Sequence, residues 1–125
     1  MSTELPASGR TVLVVEDDAS MLMMIAEELK DAGFQVWPAA SGDEALRLLL
    51  SSAPVDLVLS DVRMPGPIDG LGLAHRARLE WPRMKIVLMS GYLRDMSETA
   101  EADAFLGKPF PLSAAVDCVE RLLAH

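Results

Sequence analysis

Five short β-prone runs, each followed by a stretch of different periodicity, constrain this chain more than any other feature of its sequence. TVLVV (Thr11–Val15) is apolar almost throughout, the pattern of a strand buried on both faces. From Ser20 to Ala32 the residues Met21, Ile25, Leu29 and Ala32 recur at helical spacing, and Gly33 stops the helix. FQVWP reads as a short second strand, and Ser41 caps a helix to about Leu50, with Glu44 placed to complete a capping box. VDLVLSD supplies the third strand, and a third helix runs from about Asp69 to Glu80, ending before Trp81-Pro82. KIVLMS (85–90) is a fourth strand and AFLGK a weak fifth. Leu112–Leu123 is a last amphipathic helix with Leu112, Val116, Val119 and Leu123 inside. Between Ser90 and Lys108 the acidic SETAEADA offers few apolar anchors, so a fourth helix there is expected to be short or frayed. This alternation specifies an α/β fold: a five-stranded parallel sheet with right-handed crossovers and helices on both faces.

In such a sheet the carboxyl ends of all strands share one edge, where ligands and chemistry collect. Glu16, Asp17 and Asp18 follow the first strand, and Asp61 ends the third. Ser90 ends the fourth, and Lys108-Pro109 follows the fifth. After Asp61 the residues Pro65, Gly66, Pro67 and Gly70 prevent immediate continuation as strand or helix, which leaves the aspartate facing an irregular loop. Clustered carboxylates repel one another, so they raise a pKa or bind a hard cation. Oxygen ligands without cysteine or histidine suit Mg²⁺. A metal beside Asp61 would keep it ionised and nucleophilic, while Lys108 and the Ser90 hydroxyl would meet phosphoryl oxygens. This is equipment for phosphoryl transfer onto an aspartate, where catalysis is mostly positioning and charge neutralisation.

Composition limits the alternatives. At 125 residues the chain forms one domain, and with half its residues hydrophobic it is globular. The balance of 11 basic against 19 acidic residues gives a net charge of −8, which argues against nucleic-acid binding. The sequence shows neither a membrane-length apolar run nor a signal-peptide pattern at MSTELPASG, so a cytoplasmic protein without a membrane partner is expected. Residues 1–9 are expected to be a flexible tail ahead of a domain over 10–125. The single cysteine, Cys118, excludes an internal disulfide and is expected to be an ordinary, partly buried helix residue. His75 and His125 are too isolated to serve as ligands.

VLVVEDD, LVLSDVRMPGPIDG, IVLMSG and FLGKPF, in that order over residues 10–123, resemble the receiver domain of bacterial two-component response regulators. The resemblance implies a flavodoxin-like (βα)5 fold with a shortened fourth helix. It implies Asp61 as phosphoacceptor, and Mg²⁺ held by Glu16, Asp17, Asp61 and the backbone carbonyl of Arg63. Ser90 and Lys108 would contact the phosphoryl group, with Ser90 also part of the switch, and Phe105 would occupy the aromatic switch position. Asp18, one past the acid pair, reads as a helix-start residue. The phosphodonor would be a histidine kinase or a histidine phosphotransfer protein, meeting the start of the first helix at Met21 and Met24 and the loop at Pro109 and Phe110.

The family pattern D-x-x-M-P-x-M-D-G carries one extra residue here, after Met64-Pro65, and Phe105 stands where tyrosine is more usual. Leu22, Met23 and Met24 exceed what one core stripe of the first helix needs. Segment 91–103, with Tyr92, Leu93 and Met96, is expected to be poorly ordered until Asp61 is phosphorylated. With no room for an output domain after residue 123, a stand-alone receiver is expected. The alternatives are the receiver segment of a hybrid kinase, or a Mg²⁺-dependent aspartyl-phosphate phosphatase. Such phosphatases carry D-x-D, and Arg63 stands at the second acid's position.

Overall fold

A computed structural model describes residues 9–51, 54–92, 94–95 and 101–124. The elements run β1 (Thr11–Val15), α1 (Ala19–Asp31), β2 (Gln35–Ala39), α2 (Gly42–Leu50) and β3 (Leu57–Asp61). Then follow α3 (Gly70–Glu80), β4 (Lys85–Ser90), β5 (Ala104–Gly107) and α4 (Leu112–Leu122). All strand pairs are parallel, in the order β2-β1-β3-β4-β5. The expected α/β architecture is therefore present. Residues 1–8 of the expected tail at 1–9, Leu93, Met96, His125 and most of the expected fourth helix lie outside the described residues.

Strand alternation divides the core in two. Leu13, Val15, Val58, Ile86 and Leu88 face α2 and α3, where Ala45, Leu49, Leu73 and Ala77 meet them. Val12, Val14, Leu57, Leu59, Val87 and Met89 face α1 and α4, against Ile25, Leu29, Cys118 and Val119. Pro38 is tolerated in β2 because β2 is an edge strand, where a missing N–H need not break a ladder. Among the described residues, no helix is long and apolar enough to cross a membrane.

Caps place three of the helices. Asp18 accepts from the Ser20 and Met21 N–H groups, and Asp69 accepts from Gly72 N–H. Ser41 accepts from Glu44 N–H, but the Glu44 carboxylate takes the N–H of Ala40 at 2.8 Å. The expected capping box is thus shifted by one residue on its return arm. Two expected core positions of α1, Met21 and Ala32, are only half-buried, and Ala26 is buried in addition to Ile25 and Leu29. In α4, Ala115 and Cys118 join Val119 as the buried residues, while Leu112, Val116 and Leu123 are half-buried. Small residues take the closest approaches, which a count of large apolar residues overlooks.

The strand order reverses at β1, which lies between β2 and β3. Crossovers leave β1 in opposite directions, opening a crevice beyond the carboxyl ends of β1 and β3. Two glycines shape the loop on its β3 side. A Cβ on Gly70 would stand 2.1 Å from the Asp61 carbonyl oxygen, so only glycine lets α3 begin this close to Asp61. Gly66 has a φ of +104°, the left-handed turn that accommodates the extra residue between Pro65 and Pro67.

Candidate functional site

Glu16, Asp17 and Asp61 each present a carboxylate oxygen at the crevice, all within 4.8 Å of one another. Glu16 and Asp61 are buried, and Asp17 is exposed. Lys108 arrives from the end of β5, with Nζ 2.8 Å from Glu16 Oε1 and 3.2 Å from Asp61 Oδ2. Its backbone N–H donates to the Ser90 carbonyl at 2.8 Å, which registers the ends of β4 and β5. The Asp18 N–H donates to Glu16 Oε2 at 3.2 Å. Three carboxylates therefore face one ammonium.

The Lys108–Glu16 pairing is one-sided. Burial pushes the Glu16 carboxyl above its ordinary range, and the opposing Lys108 hydrogen bond does not reverse this. Burial acts to lower Lys108, yet its bonds to Glu16 and Asp61 prevail and hold the ammonium above its ordinary value. The cluster thus retains one cation firmly and has carboxylate capacity to spare. Its donor set, oxygens without nitrogen or sulfur, fits a hard divalent cation.

Ser90 is buried, and its hydroxyl is already committed. Oγ donates to Asp95 Oδ2 at 2.5 Å and accepts the Tyr92 N–H at 3.0 Å. Arg63 lies in the loop after Asp61, and its side chain reaches across to Asp95. Nε and Nη2 bond the two carboxylate oxygens at 3.1 and 3.2 Å. The Arg63 guanidinium also sits 3.9 Å from the centroid of the Tyr92 ring. The Arg63 hydrogen bond, ahead of the opposing effect of burial, holds the Asp95 carboxyl below the usual carboxylate range.

Sequence reasoning did not find Asp95 or the Arg63 side chain. The only signal was an acid five residues beyond Ser90 and a base two beyond Asp61, and no periodicity joins two loops. The Tyr92 ring carries the Arg63 guanidinium. His75 Nδ1 lies 2.9 Å from Glu101 Oε2, and His75 is not part of the carboxylate cluster. Cys118 is buried rather than partly buried. Met21 and Phe110 each pack, half-buried, against the α1–α4 side of the core, while Met24 and Pro109 are exposed. Phe105 is half-buried against the α2–α3 side.

The model of the response regulator receiver domain matches residues 12–120. The chain is 39% identical over 127 residues to the sensor kinase CckA of Brucella abortus, covering 98% of this chain and 13% of that protein. It is 34% identical over 119 residues to the DNA-binding transcriptional regulator NtrC of Salmonella typhimurium, covering 91% of this chain and 25% of that protein. The chain thus spans a quarter or less of these relatives. Among solved structures, response regulator TrrA of Thermotoga maritima, in complex with Mg²⁺ and beryllium fluoride, is similar with a TM-score of 0.84. The identity is 32%, covering 90% of this chain and 98% of that one. The chain belongs to the response regulator receiver domains, the phosphoacceptor modules of two-component signalling.

Proposed function

We propose that Asp61 is the phosphoacceptor of this domain, and the placement of Lys108 between Asp61 and Glu16 carries the reading. A carboxylate oxygen of Asp61 attacks the phosphorus of a phosphohistidine. The P–N bond breaks, and the imidazole leaves with the bonding electrons. Lys108 neutralises a phosphoryl oxygen as a point charge, and the Ser90 hydroxyl donates to another. Glu16, Asp17, Asp61 and the Arg63 carbonyl would hold Mg²⁺, which supplies charge neutralisation at the entering phosphoryl group. The Mg²⁺ and beryllium fluoride bound by the Thermotoga relative support this reading.

The donor is a histidine kinase or histidine phosphotransfer protein, docking on Met21, Met24, Pro109 and Phe110, with Phe105 responding on the opposite side of the core. The domain occupies 10–125 behind a tail at 1–9, and a cytoplasmic location goes with this reading. The product is an altered surface for a partner protein, so the domain acts as a signalling phosphoacceptor. The phosphatase alternative is not favoured, because Arg63 pairs with Asp95 where a second acid would be needed.

Mass spectrometry after incubation with acetyl phosphate and Mg²⁺ tests the assignment. The expected result is an adduct of ~80 Da, the mass of one phosphoryl group, that is labile to hydroxylamine and lost in Asp61→Asn. A hydroxylamine-labile adduct that survives in Asp61→Asn would show that the acceptor lies elsewhere.

A further inference from the structure

The roles assigned above leave Asp95 without one, although its carboxylate is 3% exposed and makes three side-chain hydrogen bonds. Its position is unusual in one respect. The acceptor of the Ser90 proton is this carboxylate, on the same segment that leaves β4. A hydroxyl has one proton to give. While Ser90 donates to Asp95, it does not donate to a phosphoryl oxygen on Asp61. The Tyr92 N–H bond to Oγ steadies this orientation from a second direction. Arg63 locks the acceptor in turn, gripping both Asp95 oxygens and lying over the Tyr92 ring.

We propose that Asp95 is a latch on the phosphorylation site, a positioning residue that holds the Ser90 hydroxyl off the phosphoryl group. The proposal rests on the reading of Asp61 as phosphoacceptor and Ser90 as a phosphoryl contact. A phosphoryl group on Asp61 must then win the Ser90 proton from a carboxylate whose charge Arg63 already balances. Because Arg63 belongs to the loop of Asp61, the latch ties the loop after β3 to the segment after β4. When Ser90 turns, Asp95 loses one partner and the tie between the β3 and β4 loops loosens. The latch sets a threshold. It weakens binding of any phosphoryl-like anion by the worth of one charge-assisted hydrogen bond that must first be broken.

Titration calorimetry with beryllium fluoride and Mg²⁺ reads that threshold in the wild type, Asp95→Ala, Asp95→Asn, Ser90→Ala and the double variant Ser90→Ala/Asp95→Ala. Asp95→Ala is expected to bind about tenfold more tightly than wild type, the scale of a hydrogen bond to a charged group. Asp95→Asn, whose amide oxygen still accepts but without a charge, should lie between them. In the Ser90→Ala background Asp95→Ala should have no effect, which a merely structural role for Asp95 would not produce. If Asp95→Ala does not fold, Asp95→Asn alone decides. Unchanged or weaker binding in the folded Asp95 variants, with Ser90→Ala weaker than wild type, would overturn the latch and leave the site reading intact. No binding by the wild type, or equal binding by Asp95→Ala and the double variant, would overturn the site reading and the latch with it.

Discussion

Two clusters at one end of the sheet are built from similar groups and balanced in opposite ways. At Glu16, Asp17 and Asp61, three carboxylates cluster, Lys108 pairs with Glu16 and Asp61, and burial leaves Glu16 pushed toward its neutral form. At Asp95, one carboxylate receives a two-bond guanidinium and a hydroxyl, and its carboxyl is pulled toward the ionised form, first by Arg63. The first cluster has excess negative charge that a cation relieves. The second is closed, and a ligand needing Ser90 must open it. One end of the fold therefore sets an acid-rich opening beside a closed ion pair.

Removing the single cation of the open cluster should have the largest effect. Lys108→Ala leaves buried Glu16 and Asp61 without their shared partner. Breaking a fully buried pair costs 3–5 kcal/mol, and the partial exposure of Lys108 reduces the expected loss to about 2 kcal/mol in urea unfolding. Mg²⁺ should restore part of that loss, because it relieves the same repulsion. Full wild-type stability in Lys108→Ala would mean that the acids do not repel across the crevice, and the contrast between the clusters would fail.

Mg²⁺ itself comes next. At ten times its dissociation constant it should raise the melting temperature of the wild type by about 5 °C, from about 1.4 kcal/mol of linkage. Asp17→Ala should remove most of that rise, since Asp17 is the exposed carboxylate of the cluster and Lys108 pairs with the other two. A rise that survives in Asp17→Ala would place the cation on Glu16 and Asp61 alone.

The closed cluster should respond less to its own cation. Arg63→Ala leaves Asp95 bonded to Ser90 and near Arg94, and the Arg63 side chain is half exposed, so the expected loss is about 1 kcal/mol. Its pH dependence has a definite sign. A carboxyl lowered in the folded state contributes stability above its ordinary value of 3.8 and loses it as pH falls through the lower folded value. The stabilities of wild type and Arg63→Ala should therefore converge as pH falls below about 3.8. A constant gap across that range would assign the Arg63 contribution to packing instead.

The same contrast explains which parts were legible in the sequence. Strand and helix order followed from periodicity, since parallel strands buried on both faces read as apolar runs and helices as spaced stripes. The open cluster was legible because topology alone brings strand ends together, so Glu16, Asp17, Asp61 and Lys108 could be placed without knowing any side-chain rotamer. The closed cluster was not. Arg63, Tyr92 and Asp95 meet because two loops fold over each other, and loop residues carry no period that links them. The burial of Ala26 and Ala115 was missed for a related reason, as small residues mark close approach rather than hydrophobic excess.

The smallest effect separates the parts of the closed cluster. The Tyr92 ring supports the Arg63 guanidinium from 3.9 Å, while the Tyr92 backbone N–H holds Ser90 Oγ. Substituting the side chain leaves the N–H in place, so ring and latch can be tested apart. Tyr92→Phe keeps a π face under Arg63 and should match the wild type in urea unfolding. Tyr92→Ala should cost about 0.5 kcal/mol, the value of an exposed cation–π contact, because the ring is more than half exposed. Its effect on beryllium fluoride affinity should be about twofold or less, since the bonds from Arg63 and Ser90 to Asp95 remain. Equal losses in Tyr92→Phe and Tyr92→Ala would shift the role from the ring to the phenol hydroxyl. A tenfold gain in affinity in Tyr92→Ala would mean that the ring, rather than the carboxylate, keeps the cluster closed.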